Sequence, residues 1–301
     1  MIEKRNFLYV YIMKYIQAKS ILSKLRSKDP YFGLTYNMNI YRGCQHGCIY
    51  CDTRSECYGV GDISQVAVKK NAIDLLRKEL SSRTRIKGTI GTGSMNDPYM
   101  PIEKELQLER QALGVIADAK YPVHIITKSD MVTRDYDLLQ EISKTYAAVS
   151  FTITTTDDYL ARRIEPGAPP PSDRFRAMGF LAAKGVYVGV TLMPLLPFIN
   201  DTPVNIIDII QHAKWAGASY VIPMFGVTLR KGSRDYLYKT FDEGFEGMRQ
   251  KYESAFEDRY YCNSPKWKLL EETYQREIEN AQLSSKMEFF GPVVNEQLSF
   301  L

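Results

Sequence analysis

Three cysteines lie close together near the start of the chain, with a spacing suited to binding a metal cluster. Cys44, Cys48 and Cys51 form a C-x3-C-x2-C motif within the sequence CQHGCIYC. Thiolates are the soft ligands that iron–sulfur clusters need. A loop with these gaps can present three sulfurs to three irons of one cubane, which leaves the fourth iron without a protein ligand. We expect a substrate or cofactor to bind at that open iron.

A structural zinc site is the alternative, and it needs a fourth ligand, which Cys57 or His46 would supply. The chain has five cysteines, four of them between residues 44 and 57. An odd and crowded set is a poor disulfide framework and indicates a metal site in a reducing compartment. We therefore expect a cytoplasmic protein.

The remaining cysteines and the histidines have less specific surroundings in the sequence. We expect His46 to orient the backbone of the cysteine loop, and His124 and His212 to be core residues. Cys57 is interpreted as a buried small apolar residue, with a redox thiol as the alternative. Cys262 follows two tyrosines and cannot build a second cluster alone.

Composition places the chain among ordinary globular proteins. It has 301 residues, 45% hydrophobic and 25% charged, with 39 Lys+Arg against 35 Asp+Glu. This excludes a disordered chain, a fibrous protein and a disulfide scaffold. The small positive excess permits an anionic partner without requiring one. No apolar run approaches the length of a membrane span, so no membrane partner is expected.

The elements that must position these cysteines alternate along the chain. The predicted strands are 34–41, 88–93, 122–127, 147–156, 186–192 and 219–222. The predicted helices are 71–80, 103–120, 134–145, 173–184 and 204–216. Such alternation indicates a parallel sheet with right-handed crossovers. We predict an α/β fold, a partial (β/α)6 TIM-type barrel, with its site at the carboxyl ends of the strands.

Three regions follow from this pattern. Residues 1–33 form an N-terminal extension, 34–225 the partial barrel, and 226–301 a C-terminal helical extension with a tail. Residues 233–279 are charged and aromatic with helical spacing. We expect them to close the open side of the barrel.

Four segments carry a resemblance to a known family. They are NIYRGCQHGCIYCDTRSECYG (39–59), MNDPYMPIE (95–103), IITKS (125–129) and RRIEPGAPPPSDRF (162–175). The cysteine motif, with Tyr50 as its aromatic residue, resembles the radical S-adenosylmethionine (radical SAM) signature. The other segments resemble the spore photoproduct lyase-like (DNA repair photolyase-like) branch of that superfamily.

The resemblance implies a particular chemistry. A [4Fe-4S] cluster on Cys44, Cys48 and Cys51 would bind S-adenosylmethionine (SAM) through its open iron. One electron from an external reductant of the flavodoxin or ferredoxin type would cleave SAM. The resulting 5′-deoxyadenosyl radical would abstract hydrogen from the substrate.

The resemblance also implies a set of SAM contacts, each with a structural alternative as a core, turn or ion-pair residue. Tyr50 would contact the adenine region, Lys128 the carboxylate, and Thr152 the ribose or methionine. The remaining residues are Ser94, Asn96 and Asp97 near the amino group, and Arg163 and Glu165 as a buried pair near SAM.

One position departs from the lyase. There a cysteine in the loop after the second strand returns a hydrogen atom to the product radical, and Ser94 stands here instead. A serine O–H is a far poorer hydrogen-atom donor than a thiol. We therefore do not expect this chain to repair the thymine spore photoproduct by the same route, and the substrate stays unassigned.

Three functions and one further partner remain open. The leading hypothesis is a radical SAM enzyme with nucleic acid as one candidate substrate. The alternatives are a zinc- or cluster-stabilised nucleic-acid-binding module and a radical SAM modifier of a protein or peptide. The chain ends in Q-L-S-F-L, from Gln297 to Leu301, which resembles a sliding-clamp-binding peptide and predicts that partner.

Overall fold

The computed structural model describes residues 14–27 and 29–291. Its strands are β1 (Lys14–Ile16), β2 (Leu22–Lys24), β3 (Tyr36–Met38), β4 (Tyr41–Arg42), β5 (Ala67–Lys69), β6 (Ile90–Thr92), β7 (Val123–Thr127), β8 (Ala147–Thr152), β9 (Tyr187–Leu192), β10 (Tyr220–Pro223), β11 (Gly226–Thr228) and β12 (Tyr261–Asn263).

The helices connect these strands in alternation. They are α1 (Ala72–Leu80), α2 (Glu103–Leu106), α3 (Leu108–Asp118), α4 (Tyr136–Ser143), α5 (Asp158–Ile164), α6 (Pro171–Ala183), α7 (Pro203–Trp215), α8 (Ser233–Gly244), α9 (Met248–Phe256) and α10 (Trp267–Ala281). Short 3-10 helices lie at Asp52–Arg54, Glu56–Tyr58 and Asp130–Asp135.

Within the described ranges, the central sheet has seven strands in the order β10-β9-β8-β7-β6-β3-β2. The strands from β10 to β3 run parallel, and β2 pairs antiparallel with β3 at one edge. Every residue of β8 is buried, as expected for a central strand covered on both faces. The prediction of an α/β partial (β/α)6 barrel is confirmed. The carboxyl ends of the parallel strands consequently open on one mouth.

The prediction of a single helix over 103–120 is wrong. Gln107 has a positive φ of 49° and separates α2 from α3. The Glu103 carboxylate accepts hydrogen bonds from the backbone N–H groups of Leu108, at 3.0 Å, and Glu109, at 3.1 Å. A buried acid therefore caps the second helix, and the chain bends to bring it there.

The expected helical extension over 233–279 is not helical throughout. Strand β12 interrupts the region and pairs antiparallel with β11. After it, α10 packs against α7, and its buried face joins the apolar core of the barrel. The segment after α10 lies along the edge strand β10, where the N–H of Val221 donates to the Ser284 carbonyl at 3.0 Å. The three-region division stays a prediction.

No helix within residues 14–27 and 29–291 is both long and apolar enough to cross a membrane. The clamp-like peptide from Gln297 to Leu301 lies outside the described residues, so that prediction stands as made from the sequence.

A buried acidic group lies between α3 and the start of α4. Glu109 is 1% exposed, near the buried carboxylates of Glu103 and Asp135. Burial, together with repulsion from these two neighbours, raises the pKa of Glu109 well above its ordinary value. The folded protein therefore keeps a proton on Glu109 that the unfolded chain releases above its usual pKa.

The variant Glu109→Gln is expected to be more stable than the wild type at neutral pH. Where the folded state binds more protons than the unfolded state, the free energy of unfolding falls as pH rises. The variant's gain in the free energy of unfolding should therefore increase with pH, between the pKa of Glu109 in the unfolded chain and its raised pKa in the folded protein. Urea unfolding of both proteins from pH 4 to pH 8 measures it, and a difference independent of pH would contradict the prediction.

Candidate functional site

The cysteine loop is anchored by backbone from two distant segments. The N–H of Cys44 donates to the Ile63 carbonyl at 2.7 Å. The N–H of Ile49 donates to the Ile164 carbonyl at 3.0 Å, and the His46 carbonyl accepts from the N–H of Gly167 at 2.8 Å. These bonds fix the loop beside the sheet with its thiols facing the mouth of the barrel.

The loop forms one wall of a cavity of about 320 Å3. Most of the residues predicted to contact the cluster or SAM line it: Cys44, Cys48, Cys51, Tyr50, Ser94, Asn96, Asp97, Lys128 and Thr152. The sequence therefore identified residues from the first four parallel strands that the fold brings together. It did not identify Met193 and Met224, which complete the apolar side of the cavity.

The thiols occupy a largely dry environment. Cys44 and Cys48 are buried, and Cys51 is partly exposed. Burial, reinforced by the charge of Asp97, raises the pKa of the Cys44 thiol to about 12. Without a bound cation this thiol therefore stays protonated. Across the described part of the chain, no three Cys, His, Asp or Glu side chains converge as ligands of a single ion.

Asp97 joins the loop after β6 to the end of β7. Its Oδ1 accepts from the Thr127 hydroxyl at 2.7 Å, and its Oδ2 accepts from the N–H of Lys128 at 2.7 Å. His46 Nδ1 lies 3.3 Å from Oδ2. Burial opposes ionisation, but His46 and these hydrogen bonds outweigh it and lower the pKa of Asp97 to about 2. Asp97 is thus a permanent anion that holds His46 and both loops in place.

His46 contributes an unused polar atom to the cavity wall. It is 1% exposed, and its Nε2 has no hydrogen-bond partner among the residues that the structure describes. An imidazole nitrogen left in this way is costly unless a ligand pairs with it. The expectation that His46 orients the loop was therefore incomplete, because the ring also faces the cavity and Asp97.

Lys128 brings a cation to the same cavity. Its Nζ lies 5.7 Å from the centroid of the Tyr50 ring. In the described ranges, no carboxylate oxygen lies within ion-pair distance of this ammonium group. Burial opposes its charge, but Cys48 and Glu165 outweigh that effect and raise the pKa of Lys128. An ammonium group without an acidic partner in the described ranges is able to bind an anionic group, such as a carboxylate or a thiolate-bound cluster.

The expected Arg163–Glu165 pair is wrong. Glu165 pairs instead with Arg174, at 2.5 Å, and both side chains are 1% exposed. Glu165 also accepts a hydrogen bond from the Tyr50 hydroxyl. Arg163 points elsewhere, donating to the Gly244 carbonyl and lying 4.1 Å from the Phe245 ring centroid. The turn at 165–170 brings Arg174, nine residues further along the chain, to Glu165, and sequence spacing alone does not show this.

The Arg174 guanidinium extends this arrangement to the sheet. It donates to the Thr152 carbonyl at 2.9 Å, at the end of β8, and to the Pro169 carbonyl at 2.8 Å. A continuous chain of contacts therefore runs from the fourth parallel strand through Arg174 and Glu165 to Tyr50. The aromatic residue of the cysteine motif is held by this chain.

Three further residues predicted to contact SAM differ in whether their side chains already bond to other protein groups. The Asn96 amide donates to the Tyr41 carbonyl at 2.8 Å, so it stabilises the cysteine loop. The Thr152 hydroxyl pairs with the Thr191 hydroxyl at 2.9 Å. Ser94 is exposed at the rim and borders a second cavity. Of these, Ser94 has the greatest freedom to contact a ligand.

The second cavity measures about 500 Å3 and opens beside the first. The two share wall residues: Gly93, Ser94, Ile126, Thr152 and Met193. The outer wall comes from the segment before β3, including Arg26, Asp29 and Phe32. A molecule in this cavity would lie next to one in the cysteine cavity, with Ser94 between them.

Some remaining expectations are corrected by burial. Cys57 is exposed, not buried, and lies 3.7 Å from an Arg230 nitrogen. His212 is exposed on α7, where its ring packs between Phe175 and Trp215. His124 is fully buried as expected, with burial lowering its pKa to about 3. Neither Cys57 nor His212 lines the cysteine cavity.

Gly167→Ala is expected to disrupt the cysteine loop. A Cβ at Gly167 would lie 2.3 Å from the Gln45 carbonyl oxygen and 3.1 Å from His46 backbone atoms, so the loop would have to move. The matched control is Gly114→Ala, because a Cβ at Gly114 meets nothing within 4 Å. Iron content after anaerobic reconstitution should fall for the first variant only. Equal iron content in both variants would contradict this expectation.

Comparison with known proteins agrees with this arrangement. Residues 38–210 match the family model described as the Radical SAM superfamily. Over 244 residues the chain is 31% identical to an uncharacterized protein of Methanocaldococcus jannaschii, covering 78% of this chain and 90% of that protein. The chain belongs to the radical SAM superfamily.

Its fold is similar to that of spore photoproduct lyase. The solved structure of spore photoproduct lyase complexed with dinucleoside spore photoproduct superposes with a TM-score of 0.67 and 18% identity, covering 89% of this chain and 79% of that one. A Pseudomonas phage M6 protein named Radical SAM Nalpha-GlyT isomerase is 25% identical over 229 residues, or 75% of this chain and 45% of that protein. The protein is therefore a radical SAM enzyme.

Proposed function

We propose that this enzyme binds a [4Fe-4S] cluster through Cys44, Cys48 and Cys51 and SAM in the same cavity. The observation that carries the proposal is that these thiols share one cavity with the Lys128 ammonium and the Nε2 of His46. Among the described residues, the ammonium has no acidic partner and Nε2 has no hydrogen-bond partner. Thiols, a cation and a free imidazole nitrogen fit an anionic sulfur cluster and its ligand. The cavity of about 320 Å3 leaves room beside the loop.

When bound, the reduced cluster and SAM supply a 5′-deoxyadenosyl radical for hydrogen abstraction. The chain's own residues would orient the cofactor. Lys128 would hold the SAM carboxylate, and Tyr50, fixed by Glu165, would pack against the adenine region. Ser94 and the backbone of its loop would donate or accept at the SAM amino group. Asp97 would keep its structural position, because its oxygens already accept hydrogen bonds.

The substrate would occupy the second cavity, and we propose that it is a nucleic acid or one of its nucleotides. One comparison supports this class: the solved lyase structure is a complex with dinucleoside spore photoproduct. The shared wall at Ser94 would place the reacting C–H bond next to the SAM cavity. Because the hydroxyl of Ser94 is a far poorer hydrogen-atom donor than a thiol, the reaction would differ from photoproduct repair that uses a cysteine as the donor.

An external reductant of the flavodoxin or ferredoxin type would deliver the electron. All five cysteines are free, which suits a reducing compartment, and we propose the cytoplasm.

Anaerobic reconstitution tests the proposal. The wild type should bind four irons and, after dithionite reduction with SAM, form 5′-deoxyadenosine detectable by chromatography. Cys48→Ala should lose both iron and product. Cys57→Ala is the matched control, because its thiol is exposed and outside the cavity, and it should retain both. A wild type that binds one zinc and no iron would overturn the proposal in favour of a zinc-stabilised binding module.

A further inference from the structure

A third cavity lies behind the cysteine loop and is bordered by two cations. It measures about 260 Å3. Its wall is formed by Ile16, Asn39, Tyr41, Arg42, Gly43, Thr53, Tyr58, Val60, Lys69, Met95 and Asn96. Among the described residues, this lining includes Arg42 and Lys69 but no aspartate or glutamate. Thr53, Met95 and Asn96 also line the cysteine cavity, so the two cavities share a wall.

Strand pairing places the two cations on the same face of a small sheet. Strands β4 and β5 pair antiparallel, with Arg42 opposite Ala67. Lys69 is two residues beyond Ala67, so it projects to the same side as Arg42. Arg42 and Lys69 are therefore diagonal neighbours across the strand pair. Two cations on the same face of a strand pair repel each other, and a bound anion would offset that repulsion.

Neither cation has an acidic partner in the part of the chain that the structure describes. Lys69 Nζ donates to the Asn39 carbonyl at 2.6 Å, and the Arg42 guanidinium donates to the Gly59 carbonyl. Among residues 14–27 and 29–291, no carboxylate oxygen lies within ion-pair distance of either group. Burial, then the charge of Arg42, lowers the pKa of Lys69, which agrees with a missing counter-ion. Both side chains retain N–H groups that no described residue uses.

We propose that Arg42 and Lys69 form a phosphate-binding site next to the SAM cavity. A phosphate oxygen could accept from the ammonium while two others accept from the planar guanidinium, which suits bidentate contact. The phosphate would be a phosphodiester of nucleic acid or a free phosphate, since both present the same oxygens. The site is independent of the proposed hydrogen abstraction, because it lies on the other side of the wall formed by Thr53 and Met95.

Binding measurements on the reconstituted full-length protein test the site. Fluorescence anisotropy with a labelled ten-nucleotide oligothymidylate gives affinity as a function of salt. Lys69→Gln and Arg42→Gln should each weaken binding roughly tenfold, the loss expected for a charge-assisted phosphate contact. Each should also reduce the slope of log affinity against log salt by about 0.7. Lys214→Gln, an exposed lysine on α7, is the matched control and should change neither quantity.

Calorimetry with inorganic phosphate distinguishes the two sources. Loss of oligothymidylate affinity in the variants supports the nucleic-acid source. Loss of phosphate binding alone, with oligothymidylate unaffected, supports the free-phosphate source. Unchanged binding of both ligands overturns the proposal. Binding of polyglutamate in preference to both, if lost in the same variants, also overturns it, because it would indicate an acidic protein partner.

The Arg42→Gln variant and two control measurements separate loss of the phosphate site from misfolding and from loss of SAM chemistry. Arg42 is exposed, so Arg42→Gln decides the question even if substitution of the half-buried Lys69 impairs folding. Iron content and 5′-deoxyadenosine formation should match the wild type in both variants. A negative binding result would therefore not contradict the proposed SAM chemistry. If no 5′-deoxyadenosine forms, the binding measurements would still test the phosphate site.

Discussion

Arg174→Met is expected to lower the free energy of unfolding by about 3–5 kcal/mol, the usual cost of removing one partner from a buried ion pair. Both Arg174 and Glu165 are 1% exposed. Without Arg174, the Glu165 carboxylate would therefore be a buried charge without its ion-pair partner and without contact with water. The substitution also removes the donor to the Thr152 carbonyl, so the end of β8 loses a hydrogen bond. Urea denaturation measures the loss.

A surface arginine on the same helix gives the matched control. Arg176 pairs with Asp173 but is exposed, so Arg176→Met should cost less than about 1 kcal/mol. Adding Glu165→Gln to Arg174→Met should recover part of the stability, because it removes the uncompensated charge. Equal losses for Arg174→Met and Arg176→Met would show that the buried pair has no special importance.

Lys128→Met is expected to weaken SAM binding by roughly tenfold to a hundredfold, which corresponds to the loss of one hydrogen bond to a charged group. The side chain keeps its apolar stem against Tyr50 but loses the ammonium that would pair with the SAM carboxylate. Anaerobic equilibrium dialysis of reconstituted protein with labelled SAM measures the affinity. Iron content should stay at the wild-type level, because Lys128 is not a cluster ligand.

Lys144→Met serves as its control. Lys144 is exposed and pairs with Glu141 on the surface, so its replacement should leave SAM affinity unchanged. Unaltered SAM binding by Lys128→Met, at full iron content, would contradict the assigned role. Loss of iron together with SAM would instead indicate that Lys128 supports the cluster through its charge near Cys48.

Periodicity was sufficient to predict the six parallel strands of the central sheet, but not its antiparallel edge strand β2. The β-branched run at 147–156 and the glycine-terminated helices at 173–184 and 204–216 mark the order of elements directly, and the sheet follows it. The cysteine spacing, together with polar residues at strand ends, predicted the cavity because parallel strands open on one edge. Local sequence carried both signals.

Contacts between distant segments were not predictable in this way. Gln107 breaks a helix because Glu103 caps its second half, which depends on a bend in three dimensions. The partner of Glu165 is chosen by the turn that precedes α6, so Arg174 and not Arg163 occupies the buried position. Cys57 was predicted to be a buried small apolar residue, but the 3-10 helix that contains it lies on the surface.

The anchoring of the cysteine loop has a consequence for the order of assembly during translation. Tyr50 and its partner Glu165 are 115 residues apart, and the loop backbone bonds to Ile164 and Gly167 in the same region. A nascent chain would expose its thiols long before these anchors leave the ribosome, since domains fold only when their long-range contacts are complete. Cluster loading should therefore follow synthesis of the first four parallel strands and α6. Chains that end before Arg174 should remain in the apo form.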